Sequence, residues 1–338
     1  EPDETVLEDF QSWLLERTDP GMESVRRARA ARLSEVKGRA HRDGVAIDSP
    51  LDTQRSFVVP ALAETLDRAG QVGVEALSVQ CYWLEDGPQP RFAAGAGPDL
   101  SGFVEPDAEL AHIFGLAHER GMRTCMVPVQ LVSSSAGRSA WRRRTDTPAW
   151  RDYFIDQRRM LEHAGLTAEL MGVELLSLGS ELRTATNTRV TEEGDLPVEI
   201  FETKREEWSR SITAARAVFS GGLTYGALWK QELEQVEFWE ELDFVGLVYF
   251  PRLGTPLGER PSDRSIQGSM TKVLRALVEK GREIDRPVLL LEVGFPSSSR
   301  AWWDTALGQG ELDMDEQERL YTSFSAALYF SSASRSLG

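Results

Sequence analysis

The chain is poor in most of the residues that announce a particular chemistry. Its 338 residues hold two cysteines, Cys81 and Cys125, and four histidines. Two cysteines cannot build a Cys₄ zinc or iron–sulfur site. Both sit in apolar, strand-like segments, "LSVQCYW" and "TCMVPV", which suits buried free thiols better than a disulfide. His41, His112, His118 and His163 all fall in or beside helical segments, and no HxH or HExxH pattern occurs. Neither a metal site nor a cofactor is expected. The segment "GSEL" is not a G-x-S-x-G elbow, and no histidine ends a strand to act as base, which disfavours a serine nucleophile. No apolar run approaches the ~18 residues of a membrane span. Basic charge is short too: 38 Lys and Arg against 54 Asp and Glu leave a net −16. Such a surface repels nucleic acid and anionic membranes and suits a neutral partner. The start "EPDETV" has neither Met nor apolar leader, and reads as a trimmed or engineered terminus; a removed signal peptide is compatible with it.

What the chain does have is rhythm. Hydrophobic residues make up 41% and charged residues 27%, an ordinary globular mixture. Apolar strand-like runs alternate with helical patterns: "GVAID" (44–48), "VEALSVQCYW" (74–83), "RTCMVPVQL" (123–131), "VELLSLGSEL" (173–182), "GLTYGALW" (222–229), "DFVGLVYF" (243–250) and "PVLLLEVGF" (287–295). Such alternation is the mark of repeated βα units and a parallel sheet. Seven strand candidates point to a (β/α)₈ TIM barrel. An open doubly wound sheet is the competing arrangement, weakened because no Gly-rich nucleotide fingerprint follows an early strand. The eighth strand is uncertain: "ALYFSSA" is the remaining candidate, unless the chain stops before it. Residues 1–42 read as an N-terminal helical extension packed on a barrel over 43–338, its basic run a solvated helix face.

Two carboxylates break the apolar logic. Glu292 follows Val288–Leu291 in a segment that reads as a fully buried strand, and Glu181 closes "LLSLGSEL". An isolated ionised carboxylate is very costly to bury. Both glutamates fall at C-terminal strand ends, where barrels gather their functional groups. Their separation is 292 − 181 = 111 residues. At roughly 30 residues per βα unit, three units plus the acidic insertion "TEEGDLPVE" cover it, so they fit strands four and seven. Facing carboxylates are what glycoside hydrolysis requires, one protonated and one ionised. The competing explanation is that each pairs with an arginine inside the barrel.

The ordered segments "VELLSLGSELRT", "GLTYGALW", "EFWEELDFVGLVYFPRL" and "RPVLLLEVGFPS" resemble glycoside hydrolase family 113, a clan A group of (β/α)₈ barrels. "AHERGMRTCMVPVQL", "WRRRTDTPAWRDYF" and "DEQERLYTSFSAAL" extend the resemblance over about residues 70–328. Known members are endo-β-1,4-mannanases. The resemblance implies Glu181 as general acid/base and Glu292 as nucleophile of a retaining mechanism, with Tyr249 placed to hydrogen-bond Glu292. Two positions depart from the clan pattern: Ser180 stands where many members carry Asn, and Gln130 where a His often ends strand three. The implied partner is a neutral polysaccharide or oligosaccharide, which would favour a secreted or periplasmic location. A barrel that binds glycan or protein without turnover is the alternative.

Aromatic side chains supply the second sugar-site signal, since sugar faces pack on rings. By position, Trp83 and Trp229 end strands and are expected to bind substrate. Tyr82 is expected in the core, by alternation against Trp83. One of Trp302 and Trp303 would line a subsite while the other packs, and Arg142, after strand three, would shape the cleft. Trp150, Trp208 and Trp239 fall in helices and are expected in the core.

Overall fold

The computed structural model describes residues 27, 44–47, 60–85, 92–93, 107–132, 146–187, 197–229, 232–254, 259–303 and 310–333. They divide into two compact units, residues 1–224 and 225–338. The expected N-terminal extension lies outside the described residues except for Arg27, which is helical and exposed.

In the first unit, strands β1 (Gly44–Ile47), β2 (Ala76–Glu85), β4 (Arg123–Val132) and β5 (Leu175–Ser180) lie side by side in chain order, all parallel. A two-residue strand, β3 (Phe92–Ala93), pairs antiparallel with the end of β2. Helices α1 (Pro60–Gln71), α2 (Asp107–Glu119), α3 (Thr147–Met171), α4 (Arg183–Thr186) and α5 (Val198–Val218) fall between or after these strands. Helix α3 shows why the local sequence folds this way. Asp146, in extended conformation, accepts from the Ala149 N–H, and Pro148 stands in the first turn. At the far end Gly172 takes φ 71° and donates to the Ala168 and Glu169 carbonyls. These are a side-chain cap at the start and a left-handed glycine cap at the end. Its buried face carries Trp150, Tyr153 and Phe154, and Phe154 meets Trp208 of α5 edge to face at 5.6 Å. Trp150 and Trp208 are thus core residues, as their helical positions foretold.

At the N-terminal end of β5 a buried carboxylate has a purely structural task. Glu174 accepts from Thr124 N at 2.7 Å and Thr124 Oγ1 at 2.8 Å, tying the start of β5 to β4.

In the second unit, the end of β6 (Gly222–Leu228), β7 (Val245–Tyr249) and β8 (Val288–Val293) again run parallel in chain order. Helix α6 (Asp263–Ile284) joins β7 to β8, and α7 (Met314–Ala333) follows. Within each unit every new strand is laid beside its predecessor. A doubly wound sheet reverses its direction of growth at a switch point. Neither unit does, and sequential parallel βα addition is the pattern of the (β/α)₈ barrel. Seven parallel strands of that pattern lie among the described residues.

Two expectations are corrected here. "ALYFSSA" is no strand: it lies within α7. Leu320, Phe324, Ala327 and Ser331 are all buried, at spacings of four, three and four. That is a helical face, and the run simply continues it. Nor is β8 fully buried. Only Leu291 is, while Val288 to Leu290 and Glu292 to Val293 are half-buried. Among the described residues of its unit, β8 has β7 as its strand neighbour on one side.

Candidate active site

Glu181 stands directly after the last residue of β5. The strand leads to it through Leu176, Ser177 and Leu178, all fully buried. The regular ladder then ends abruptly. Ser177 Oγ donates to Gly179 O at 2.7 Å, Gly179 has φ 142°, and Glu181 has φ 56°. A left-handed non-glycine residue is uncommon, and such strain collects at functional sites. Of the residues described, only Glu181 and the helix-capping Asp285 are non-glycines of positive φ. The turn leaves Glu181 exposed and Ser180 half-buried.

Glu292 reaches its strand end by another route. Leu247 pairs with Leu290, but Val248 pairs with Glu292, so Leu291 is an extra residue in β8. A bulge of this kind re-aims the side chains beyond it. Tyr249, which pairs with Val293, is the next rung of the same ladder and is buried. Burial pushes its phenol well above the ordinary range, so it stays a neutral donor at any working pH. After β8 comes Gly294, where a Cβ would lie 2.5 Å from the Phe250 ring. That glycine is required by close approach, beyond marking a turn. The loop is then fastened to α7, with Gln317 Nε2 donating to Phe295 O at 2.7 Å and Phe295 edge-on to Tyr321 at 5.0 Å.

The flanking candidates separate into two groups. Trp229, after β6, is half-buried. Its strand end is held by Glu232, a fully buried carboxylate that accepts from Leu228 N at 2.9 Å and Tyr225 Oη at 2.7 Å. Sequence reasoning passed over Glu232. The available signal was its place beside Leu233 and four residues before Val236, on the buried side of a helical turn. Trp303 is half-buried with the Arg252 guanidinium 5.4 Å from its ring centre. Ser180, Trp229, Tyr249 and Trp303 therefore remain at or beside strand ends.

The side chains of Trp83, Gln130 and Trp302 meet packing partners instead. Trp83 is buried and packs edge-on to His163 of α3 at 5.1 Å. Gln130, its partner in the β2–β4 register, accepts from Tyr153 Oη at 3.0 Å, and Tyr153 also belongs to α3. Residues paired across parallel strands share a face. Both side chains thus face the layer between strand and helix. Trp302 is buried, and its ring lies so close to Gly254 that a Cβ there would be 2.6 Å away. It is the packing member of its pair. Arg142 lies outside the described residues, and Tyr82 is described in its backbone alone. Among the described residues no three or more His, Cys, Asp or Glu come together as a metal would need, and no helix is long and apolar enough to cross a membrane.

A family model described as Glycoside Hydrolase Family 113 matches residues 101–332. No curated protein matches the chain. Among solved structures, a family 113 β-mannanase from Alicyclobacillus acidocaldarius in complex with ManMIm aligns with a TM-score of 0.64 at 19% identity, over 84% of this chain and 81% of that one. A complex of a family 113 β-1,4-mannanase aligns equally well, at 18% identity over 84% and 82%. A hyperthermostable endo-1,4-β-D-mannanase from Thermotoga petrophila gives 0.52 at 13% identity over 85% and 84%. At these identities the likeness speaks for the fold, and it is the barrel inferred above.

Proposed function

Because the chain belongs to glycoside hydrolase family 113, we propose that it cleaves β-mannan-like or related neutral β-linked glycans by a retaining double displacement. The observation that supports this reading beyond family membership is that Glu181 and Glu292 each stand at the C-terminal end of a parallel strand. Both positions carry a local backbone irregularity, a left-handed φ at one and a bulge at the other. Such irregularities collect at active sites.

The chemistry follows from two carboxyls with different jobs. Glu181 protonates the glycosidic oxygen as the Glu292 carboxylate attacks the anomeric carbon. The leaving sugar departs, and a glycosyl ester remains on Glu292. Glu181, now ionised, takes a proton from water, which attacks the same carbon and frees Glu292 with net retention. The carboxyl groups of a retaining pair stand about 5–5.5 Å apart. Tyr249, a neutral phenol, shares the face of Val293 one rung beyond Glu292 and packs the strand end that carries the nucleophile. Ser180 takes the place beside the acid/base where it donates a hydrogen bond to the sugar, and Trp229 and Trp303 offer rings to sugar faces. A surface of net charge −16 favours a neutral glycan over a uronate polymer.

A 2-fluoro-β-mannosyl fluoride tests this directly, because it forms the glycosyl ester quickly and loses it slowly. Peptide mapping by mass spectrometry is expected to find the adduct on Glu292. No adduct with mannosyl or glucosyl reagents, together with undiminished mannan hydrolysis by Glu292→Gln, would sink the mechanism and leave a glycan-binding barrel.

A further inference from the structure

The turn that carries Glu181 is held from behind by a lysine that the chemistry above does not use. Lys204 belongs to α5 and is buried. Its Nζ donates to Thr184 O at 2.9 Å and to Asn187 O at 3.2 Å. It also stands 4.2 Å from the centre of the Trp150 ring and 5.4 Å from that of Phe201. One turn further along α5, Trp208 Nε1 donates to Ala185 O at 3.0 Å. Thr184, Ala185 and Asn187 form the exit of α4, the one-turn helix that begins two residues after Glu181.

A four-residue helix has no interior, so its last carbonyls must find donors elsewhere. A cation suits that end of a helix dipole, and Trp150 and Phe201 offer the charge their π-faces. Keeping a charge there is costly. Burial pushes the Lys204 ammonium down to about 8, so it still carries its proton at neutral pH. An apolar side chain would fill the same space without that cost. What the ammonium adds is a directional hold on two carbonyls. The helix so held begins two residues after Glu181, a non-glycine residue at φ 56°. Such a conformation persists only where the surroundings over-determine it.

We infer that Lys204 is a positioning residue for the proton donor: by clamping the Thr184 and Asn187 carbonyls to α5, it keeps the Glu181 turn in its strained conformation. This rests on the reading of Glu181 as acid/base. Lys204 acts through the backbone and touches no substrate.

The test compares leaving groups. β-1,4-Mannan has a leaving group that needs a proton, whereas 2,4-dinitrophenyl β-mannoside has one that does not. In Lys204→Met the kcat on mannan is expected to fall by about 10–100-fold, a share of what general acid catalysis supplies, with KM little changed. The initial burst of dinitrophenolate should be preserved. Azide attacks the glycosyl-enzyme without a base, and should restore steady turnover while forming the β-mannosyl azide. Glu181→Ala should show the same pattern at full size. If azide rescues Glu181→Ala while Lys204→Met loses both substrates equally and is not rescued, Lys204 supports only the fold and the inference is overturned. If Glu181→Ala is not rescued either, the acid/base reading itself is wrong and the inference falls with it. Should Lys204→Met not fold, Lys204→Gln keeps one donor. It is expected to show a smaller loss with the same split between leaving groups, and equal losses on both would overturn the inference.

Discussion

Glu181 and Glu292 each end a parallel strand, but the chain brings them there by different devices. Around Glu181 the backbone is strained, with Gly179 at φ 142° and Glu181 at φ 56°, and side chains of α5 grip the turn beyond it. Around Glu292 the strand stays extended, and a single extra residue, Leu291, shifts the register opposite Val248. The first device puts a carboxylate on a short exposed turn. The second keeps one within a ladder, half-buried, beside the buried Tyr249. A proton donor must reach a leaving oxygen outside the sugar ring and later a water. A nucleophile must hold one line of attack on one carbon. A turn fixed from behind suits the first task, and a strand suits the second.

The largest way to break this comparison is chemical. On the proposed mechanism Glu292→Ala should lose at least about 10³-fold in kcat on every mannoside, whatever its leaving group, since it would remove the atom that forms the covalent bond. Glu181→Ala should lose about 10²–10⁴-fold on mannan but far less in its dinitrophenolate burst. Steady-state and burst kinetics on the two substrates check this, and equal profiles for the two variants would erase the division of labour. A smaller effect tests the packing at the strand end that carries Glu292. Gly294→Ala drives a methyl into the Phe250 ring and should destabilise the fold by about 1–3 kcal/mol, read as a lowered denaturant midpoint. The smallest effect is the most pointed. At Glu181, Gly should be more stable than Ala by about 1 kcal/mol, because only Gly adopts positive φ freely. At Glu292, in an extended strand, the order should reverse by about 0.5–1 kcal/mol. Melting curves of the four variants decide it, and the same order at both positions would mean that the two strand ends do not differ in backbone strain.

The strands were legible because each is a short apolar run between Gly or Pro signals, and the observed β6 and β8 fall within one or two residues of the reading. Strand ends were legible too, which is why both carboxylates could be picked from the sequence. Facing was harder. Trp83 and Gln130 stand near strand ends, but that their side chains meet α3 was not legible, since a period of two tells neighbours apart without saying which face meets the helices. "ALYFSSA" looked strand-like because seven residues are too few to separate two periods. The buried positions Leu320, Phe324, Ala327 and Ser331 supply the longer window that decides it.

From its own order of residues the chain determines that βα units repeat along it, where the seven described parallel strands stop to within a residue or two, and that a glutamate stands at two of those stops. These are local properties of hydrophobic runs, turn residues and spacing. Which of Trp302 and Trp303 packs, why Gly294 must be glycine, how Leu291 is squeezed out of register and why Glu181 tolerates a left-handed backbone were decided only by the folded chain. Each depends on what a distant segment presses against it: Gly254 on Trp302, Phe250 on Gly294, β7 on β8, and Lys204 on the turn after Glu181.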